Sequence, residues 1–225
     1  MNARRRSRVG LDGLVSGYLS AKEWVIRTGF APEIDWQADR TLGSVSESDF
    51  LREAAWVVLS SGMRELVVRQ RFPAISVAFL HWESSRAIVA EGERCLEAGL
   101  QSFRHRPKLQ AIRAIAEVVA EAGIDSVKSR LAREGIRFLQ QFPFIGPVTA
   151  FHLAKNLGID VVKPDRHLCR LAIAAGYSDP ATLCADIAAV VGDRLAVIDL
   201  VLWRFATIKS DYCSLFQVQA TCGRH

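Results

Sequence analysis

Apolar residues in this 225-residue chain recur at every third or fourth position and nowhere in sustained alternation, and that period is what most restricts the fold. Between 106 and 122, Leu109, Ile112, Ile115, Ala116 and Val119 share one side of a helix that ends at Gly123. Phe50 to Ser60 is apolar nearly all round and runs into Ser60-Ser61-Gly62, the pattern of a buried helix feeding a turn. No segment alternates apolar and polar residues between turn pairs, so the chain reads as all-α. Half of its residues are hydrophobic and only seven are proline. That is enough apolar surface for a real core and excludes disordered and collagen-like classes.

Caps and breakers divide the chain further. A first helix is expected over 20–28, with Ser20 as cap and Glu23 at the third helical position, followed by a loop over 29–48 and a helix capped by Asp49. Short helices are expected over 66–69, 73–81 and 84–98, with Gly99 as a stop. One or two more should span 124–141, and others 147–157, 165–175, 180–191 and 194–208. The expected organisation is two-lobed: a basic arm over 1–19, mobile at its start, one helical lobe from 20–48 and 176–225, and a central lobe from 49–175.

The longest apolar stretch, Leu195 to Trp203, is interrupted by Asp199 and is far too short to span a bilayer. The start Arg4-Arg5-Arg6-Ser7-Arg8 lacks the apolar run and small-residue site of a signal peptide, which points to the cytoplasm. Five cysteines, Cys95, Cys169, Cys184, Cys213 and Cys222, are widely spaced without a CxxC pair and read as thiols, not as a disulfide scaffold or zinc site.

The net charge of +5 is unevenly spread. Residues 1–9 carry four arginines and no acid, and residues 126–175 carry eight basic side chains against three acidic ones. An otherwise acidic chain with a basic stretch suits a polyanion, nucleic acid first, because phosphate contacts gain free energy from counterion release. Charge alone fits a solvated helix face equally well.

The window Phe138-Leu139-Gln140-Gln141-Phe142-Pro143-Phe144-Ile145-Gly146-Pro147-Val148-Thr149-Ala150 is more specific. Pro143 stops one helix, Gly146 is expected to take a positive φ, and Pro147 suits the first position of the next. Such a turn directs free backbone amides outward at a helix N-terminus, where a phosphate docks. Downstream, Pro164 holds Lys163 extended and Asp165 opens a helix that continues through Arg166 and His167.

In order and spacing, Phe142-Pro143-Phe144-Ile145-Gly146, Thr149-Ala150 and Asp165-Arg166-His167 resemble the helix-hairpin-helix DNA glycosylase superfamily. The resemblance reaches back to about Phe50 and is most specific from 138 to 171. It implies a two-lobed helical glycosylase fold with Asp165 as the catalytic carboxylate, in addition to its role as an N-cap. It implies contacts to the DNA backbone from the hairpin residues Phe144, Ile145, Gly146, Val148 and Thr149 and from His167, while Lys163 and Arg166 are either phosphate contacts or solvated surface charges. Ser61, Gly62, Met63 and Arg64 would form the loop that wedges into the base stack, with Met63 or Arg64 filling the gap left by an everted base. Trp24, Trp56, Trp82, Phe103 and His105 are candidate walls for a base pocket, or else core.

Four departures from the family pattern narrow the expectation. Val148 stands where the lyases of the family carry a lysine nucleophile, so the enzyme should be monofunctional. Phe144 replaces the first hairpin glycine. Cys213 and Cys222 are too few for the iron-sulfur cluster of the endonuclease III branch, and no cofactor or metal is expected. Trp56 lies near the position where the adenine glycosylases use a glutamate, with Glu53 one turn earlier. The expected activity is hydrolytic removal of a damaged or modified base from double-stranded DNA by a monomer. Excision of hypermodified bases from phage DNA, or a non-catalytic DNA-binding module, are the alternatives.

Overall fold

The structure is a computed structural model that describes residues 10–217. The described residues form helices and no strand, so the chain is all-α. The helices are α1 Leu11–Val25, α2 Ala31–Asp39, α3 Glu47–Ser60, α4 Glu65–Ala78, α5 Ser85–Ala90, α6 Gly92–Ser102 and α7 Arg106–Ala122. They continue with α8 Ile124–Glu134, α9 Ile136–Leu139, α10 Pro147–Asn156, α11 Arg166–Ala174, α12 Pro180–Val191 and α13 Leu195–Ile208. None is long and apolar enough to cross a membrane.

The described residues divide into two compact units, one made of residues 10–39 and 160–217, the other of residues 40–159. The division falls at 39/40 and 159/160, not at the 48/49 and 175/176 expected from sequence. The reason lies in α11: Leu168, Leu171 and Ala172 are buried in the same core as Val201 and Leu202 of α13, Leu183 and Ile187 of α12, and Leu14 and Tyr18 of α1. The residues following Ile159 therefore belong with the chain ends.

In the first unit, α1 starts at Leu11, so residues 11–19 are helical where an arm was expected; residues 1–9 lie outside the described residues. The expected loop over 29–48 is mostly helical as well, because Gly29 (φ 94°) lets the chain pass from α1 into α2 through a wide turn. Arg204, buried in α13, donates to Glu33 of α2 at 2.7 Å and stacks between the rings of Phe30 and Trp203. The guanidinium thus has both a carboxylate partner and aromatic faces to offset its desolvation.

In the second unit, α3 is capped by Ser46 and not by Asp49. The Ser46 hydroxyl accepts from the Asp49 amide at 3.0 Å and Asp49 returns a bond to the Ser46 amide at 3.2 Å. The break expected near Pro73 is absent, and α4 runs through it. Phe72 holds that stretch by packing edge-on to Trp56 (5.2 Å) and stacking on Trp82 (5.7 Å), which offsets the backbone bond that proline removes. Gly99 does not stop its helix either. It lies within α6, where a Cβ would approach Leu109 of α7 to 3.1 Å, so its lack of a side chain serves close helix packing.

Candidate active site

The residues expected at the site divide between the two units. In the second unit, α9 and α10 enclose the turn over 140–146, with Phe142 packed edge-on to Phe50 (6.1 Å) and Phe138 (5.4 Å). Gly146 is extended (φ −85°, ψ −174°), and Phe144 takes the left-handed conformation instead (φ 63°). The sequence expectation placed the positive φ on Gly146. The tight turn requires the left-handed residue two positions earlier, and Phe144 accepts strain that a glycine would avoid. Its ring is held edge-on to His105 at 6.0 Å and lies 5.9 Å below the Lys108 ammonium.

The Gly146 amide donates to Thr149 Oγ1 at 2.7 Å, so it is used within the turn. The amides of Val148 and Thr149, in the first turn of α10, have no acceptor among the described residues. Phe144 and Val148 are exposed beside them, but Ile145 is buried at 3% exposure. Its side chain belongs to the core, which limits Ile145 to contact through its backbone.

The wedge-loop residues lie between α3 and α4. Gly62 is left-handed (φ 69°), and Met63 and Arg64 are exposed. Beneath the loop sits Lys108, at 3% exposure, whose Nζ donates to the carbonyls of Leu59 (2.7 Å) and Ser61 (2.5 Å). These are carbonyls that the end of α3 leaves unpaired, at the negative pole of its dipole. Burial pulls the Lys108 ammonium below its ordinary pKa.

Beside the loop, Met63, Val67 and Arg71 line a groove of about 490 Å³ with the segment Gln101 to His105, and no acidic side chain takes part. Phe103 and His105, two of the residues expected to wall a base pocket, thus line an open concavity. Trp82 does not: it is 2% exposed, stacked on Phe72 and Phe79 (5.5 Å). Trp56 is engaged by Phe72 and by the Arg69 guanidinium at 5.9 Å, and both tryptophans serve packing. Trp24, in the first unit, lies under the Lys209 ammonium at 3.8 Å.

Glu53, on the buried face of α3, accepts from Asn156 Nδ2 (3.0 Å) and Arg52 Nε (3.1 Å), tying α3 to the end of α10. Burial pushes its carboxyl above the ordinary range, against the opposing pull of Arg52, Asn156 and Arg40. A raised folded-state pKa means that the folded chain holds a proton the unfolded chain has released. The stability this contributes is present below the unfolded value and is lost as pH rises through the folded one. Glu53→Gln removes the charge and keeps an acceptor for Arg52, while its amide nitrogen donates where the carboxylate accepted, to Asn156 Oδ1 once the Asn156 amide turns over. The variant is expected to melt higher than the wild type at neutral pH and nearly level with it at acid pH; thermal melts showing a difference independent of pH would contradict this.

In the first unit, Asp165 is the N-cap of α11. Its Oδ1 accepts from the amides of His167 (2.9 Å) and Leu168 (3.1 Å), and its Oδ2 lies 3.7 Å from Lys163 Nζ. The strand-like approach is anchored by Asp199, buried in α13, which accepts from the Lys163 amide at 2.6 Å. Arg166 is exposed and donates to His167 Nε2 at 3.3 Å, while the His167 ring packs edge-on to Tyr212 at 5.7 Å. Burial lowers the His167 pKa despite the nearby Asp165 carboxylate. The ring Nε2 thus serves as an acceptor, and its Nδ1 has no hydrogen-bond partner among the described residues.

Of the basic residues in 126–175, several are structural. Lys128 donates to the Gly43 and Val45 carbonyls, Arg130 and Arg133 pair with Glu134, and Lys155 is buried. Arg137, Arg166 and Arg170 remain exposed. The exposed positive charge of this stretch is smaller than its charge count suggests.

Comparison with protein-family models, with curated proteins and with solved structures found no match to this chain. No group of three or more His, Cys, Asp or Glu side chains among the described residues is placed to hold a metal ion.

Lys108, Asp199 and Tyr212 were not singled out from sequence. Lys108 shares a helical face with Ile112, Ile115 and Val119, and Asp199 interrupts an apolar run, so each is a polar residue on a buried face and was detectable as such. Tyr212 had no such signal.

Proposed function

We propose that the chain is a monofunctional DNA N-glycosylase that everts a damaged or modified base from double-stranded DNA and hydrolyses its glycosidic bond, leaving an abasic site. The observation that carries this reading is the state of Asp165: one carboxylate oxygen is fixed by two helix amides and the other faces Lys163. As the bond between C1′ and the base nitrogen breaks, its electron pair leaves with the base and positive charge develops on the sugar. A fixed carboxylate stabilises that charge without reorganising. Water then bonds to C1′ and passes a proton to Asp165, which releases it to solvent, while the departing base nitrogen takes up a proton from solvent water.

The left-handed turn at Phe144 and the unpaired amides of Val148 and Thr149 support a role for the hairpin in gripping the phosphodiester backbone. The exposed Met63 and Arg64 support the wedge assignment. Val148 carries no amine, so no Schiff base forms there.

The test is mass spectrometry of free bases released from a mixed pool of alkylated, deaminated, glucosylated and unmodified DNA. Release of at least one modified base is expected, with no protein–DNA adduct trapped by borohydride. A trapped adduct would contradict the monofunctional assignment and implicate Lys163, because Lys155 is buried. Tight DNA binding with no base released from any pool member would instead identify a binding module. Release confined to the glucosylated pool would mark action on hypermodified phage DNA.

A further inference from the structure

We propose that Lys108 is a positioning residue that locks the loop over 61–64 and the hairpin turn around Phe144 into one recognition element. In its use of DNA this rests on the glycosylase reading; the lock itself rests on geometry alone. A single ammonium, almost wholly out of water, donates to Leu59 and Ser61 at the root of the loop and stands 5.9 Å over the Phe144 ring of the turn.

The same stretch of chain reaches the turn a second way. His105, the N-cap of α7, accepts from the Lys108 amide through Nδ1 at 3.4 Å and presents its ring edge to Phe144 at 6.0 Å. The start of α7 thus holds two segments far apart in sequence, one at 59–61 and the other at 144. A buried ammonium is costly to desolvate, and it persists here because two carbonyls and an aromatic face receive it. An apolar residue of the same length would pack as well, yet it would leave both carbonyls without a donor and the loop without its tether. A loop that must enter a base stack at a set distance from a backbone-gripping turn requires such a tether, since a shift of about 1 Å in a positioned group is enough to lower a rate severely.

The variant Lys108→Met retains the aliphatic stem and removes the donors. Hydrogen exchange of the amides over 61–64 is expected to quicken by about tenfold or more while the rest of α3 and α7 stays protected. On DNA, the affinity for an undamaged duplex should hold within about twofold. The preference for a duplex carrying a tetrahydrofuran abasic analogue should fall by about tenfold, since that preference needs the loop inserted and general backbone binding does not.

Unchanged exchange in a folded Lys108→Met variant would overturn the lock. Faster exchange with the abasic preference intact would overturn its role in recognition. If the wild type binds neither duplex, the glycosylase reading fails, recognition by this element fails with it, and exchange still decides the lock.

Discussion

Asp165→Asn is expected to reduce base release by about a hundredfold or more while leaving the protein as stable as the wild type and its affinity for undamaged DNA unchanged. Asparagine caps helices as well as aspartate does, so the bonds to the His167 and Leu168 amides persist through the side-chain oxygen. What disappears is the charge. The substitution thereby separates two roles that one side chain combines, and single-turnover base release measured beside thermal melts checks both. Asp165→Ala, which loses the cap as well, should cost about 1 kcal/mol in stability in addition. Base release by Asp165→Asn within a few-fold of the wild type would remove this carboxylate from the reaction.

Gly158→Ala is expected to be the most damaging single methyl group in the described chain. Gly158 is left-handed (φ 86°), and a Cβ there would lie 2.5 Å from the Thr41 carbonyl carbon and 2.6 Å from its Cα, a backbone that cannot swing aside. The backbone penalty of about 1–2 kcal/mol and the overpacking penalty of about 1–3 kcal/mol both apply. A fall in Tm of about 10 °C is the expected reading. Gly192→Ala is the control, since Gly192 is also left-handed (φ 75°, ψ 2°) but has nothing within 4 Å of the added Cβ. It should show the backbone penalty alone. Equal melting of the two variants would mean that the approach to Thr41 yields at little cost.

The helices that sequence located best are those with a cap, a stop and one apolar face together. Arg106–Ala122 and Pro180–Val191 match the expected bounds because His105 and Asp179 cap them and Gly123 and Gly192 end them. Expectations failed where a single residue was read without its neighbours. Pro73 and Gly99 look like breaks, but Phe72 between two tryptophans and the close approach of Leu109 override them. At the hairpin, the positions of Pro143, Gly146 and Pro147 announce a turn, yet the left-handed conformation falls on Phe144. Glycine permits that conformation without compelling it.

The sequence by itself determined the all-α class, the existence and place of the turn before Pro147, and Asp165 as the cap of the helix that follows Pro164. Each depends on contacts within about four residues, through helix periodicity, the fixed φ of proline and the reach of a short carboxylate to nearby amides. Tertiary structure alone decided that Lys108 would tether a loop some fifty positions earlier, that Asp199 would hold Lys163 in place, that Trp82 would be core, and that α11 would join the chain ends. Those outcomes depend on which distant partner a buried donor, acceptor or ring finds once water is excluded, and local sequence carries no record of that choice.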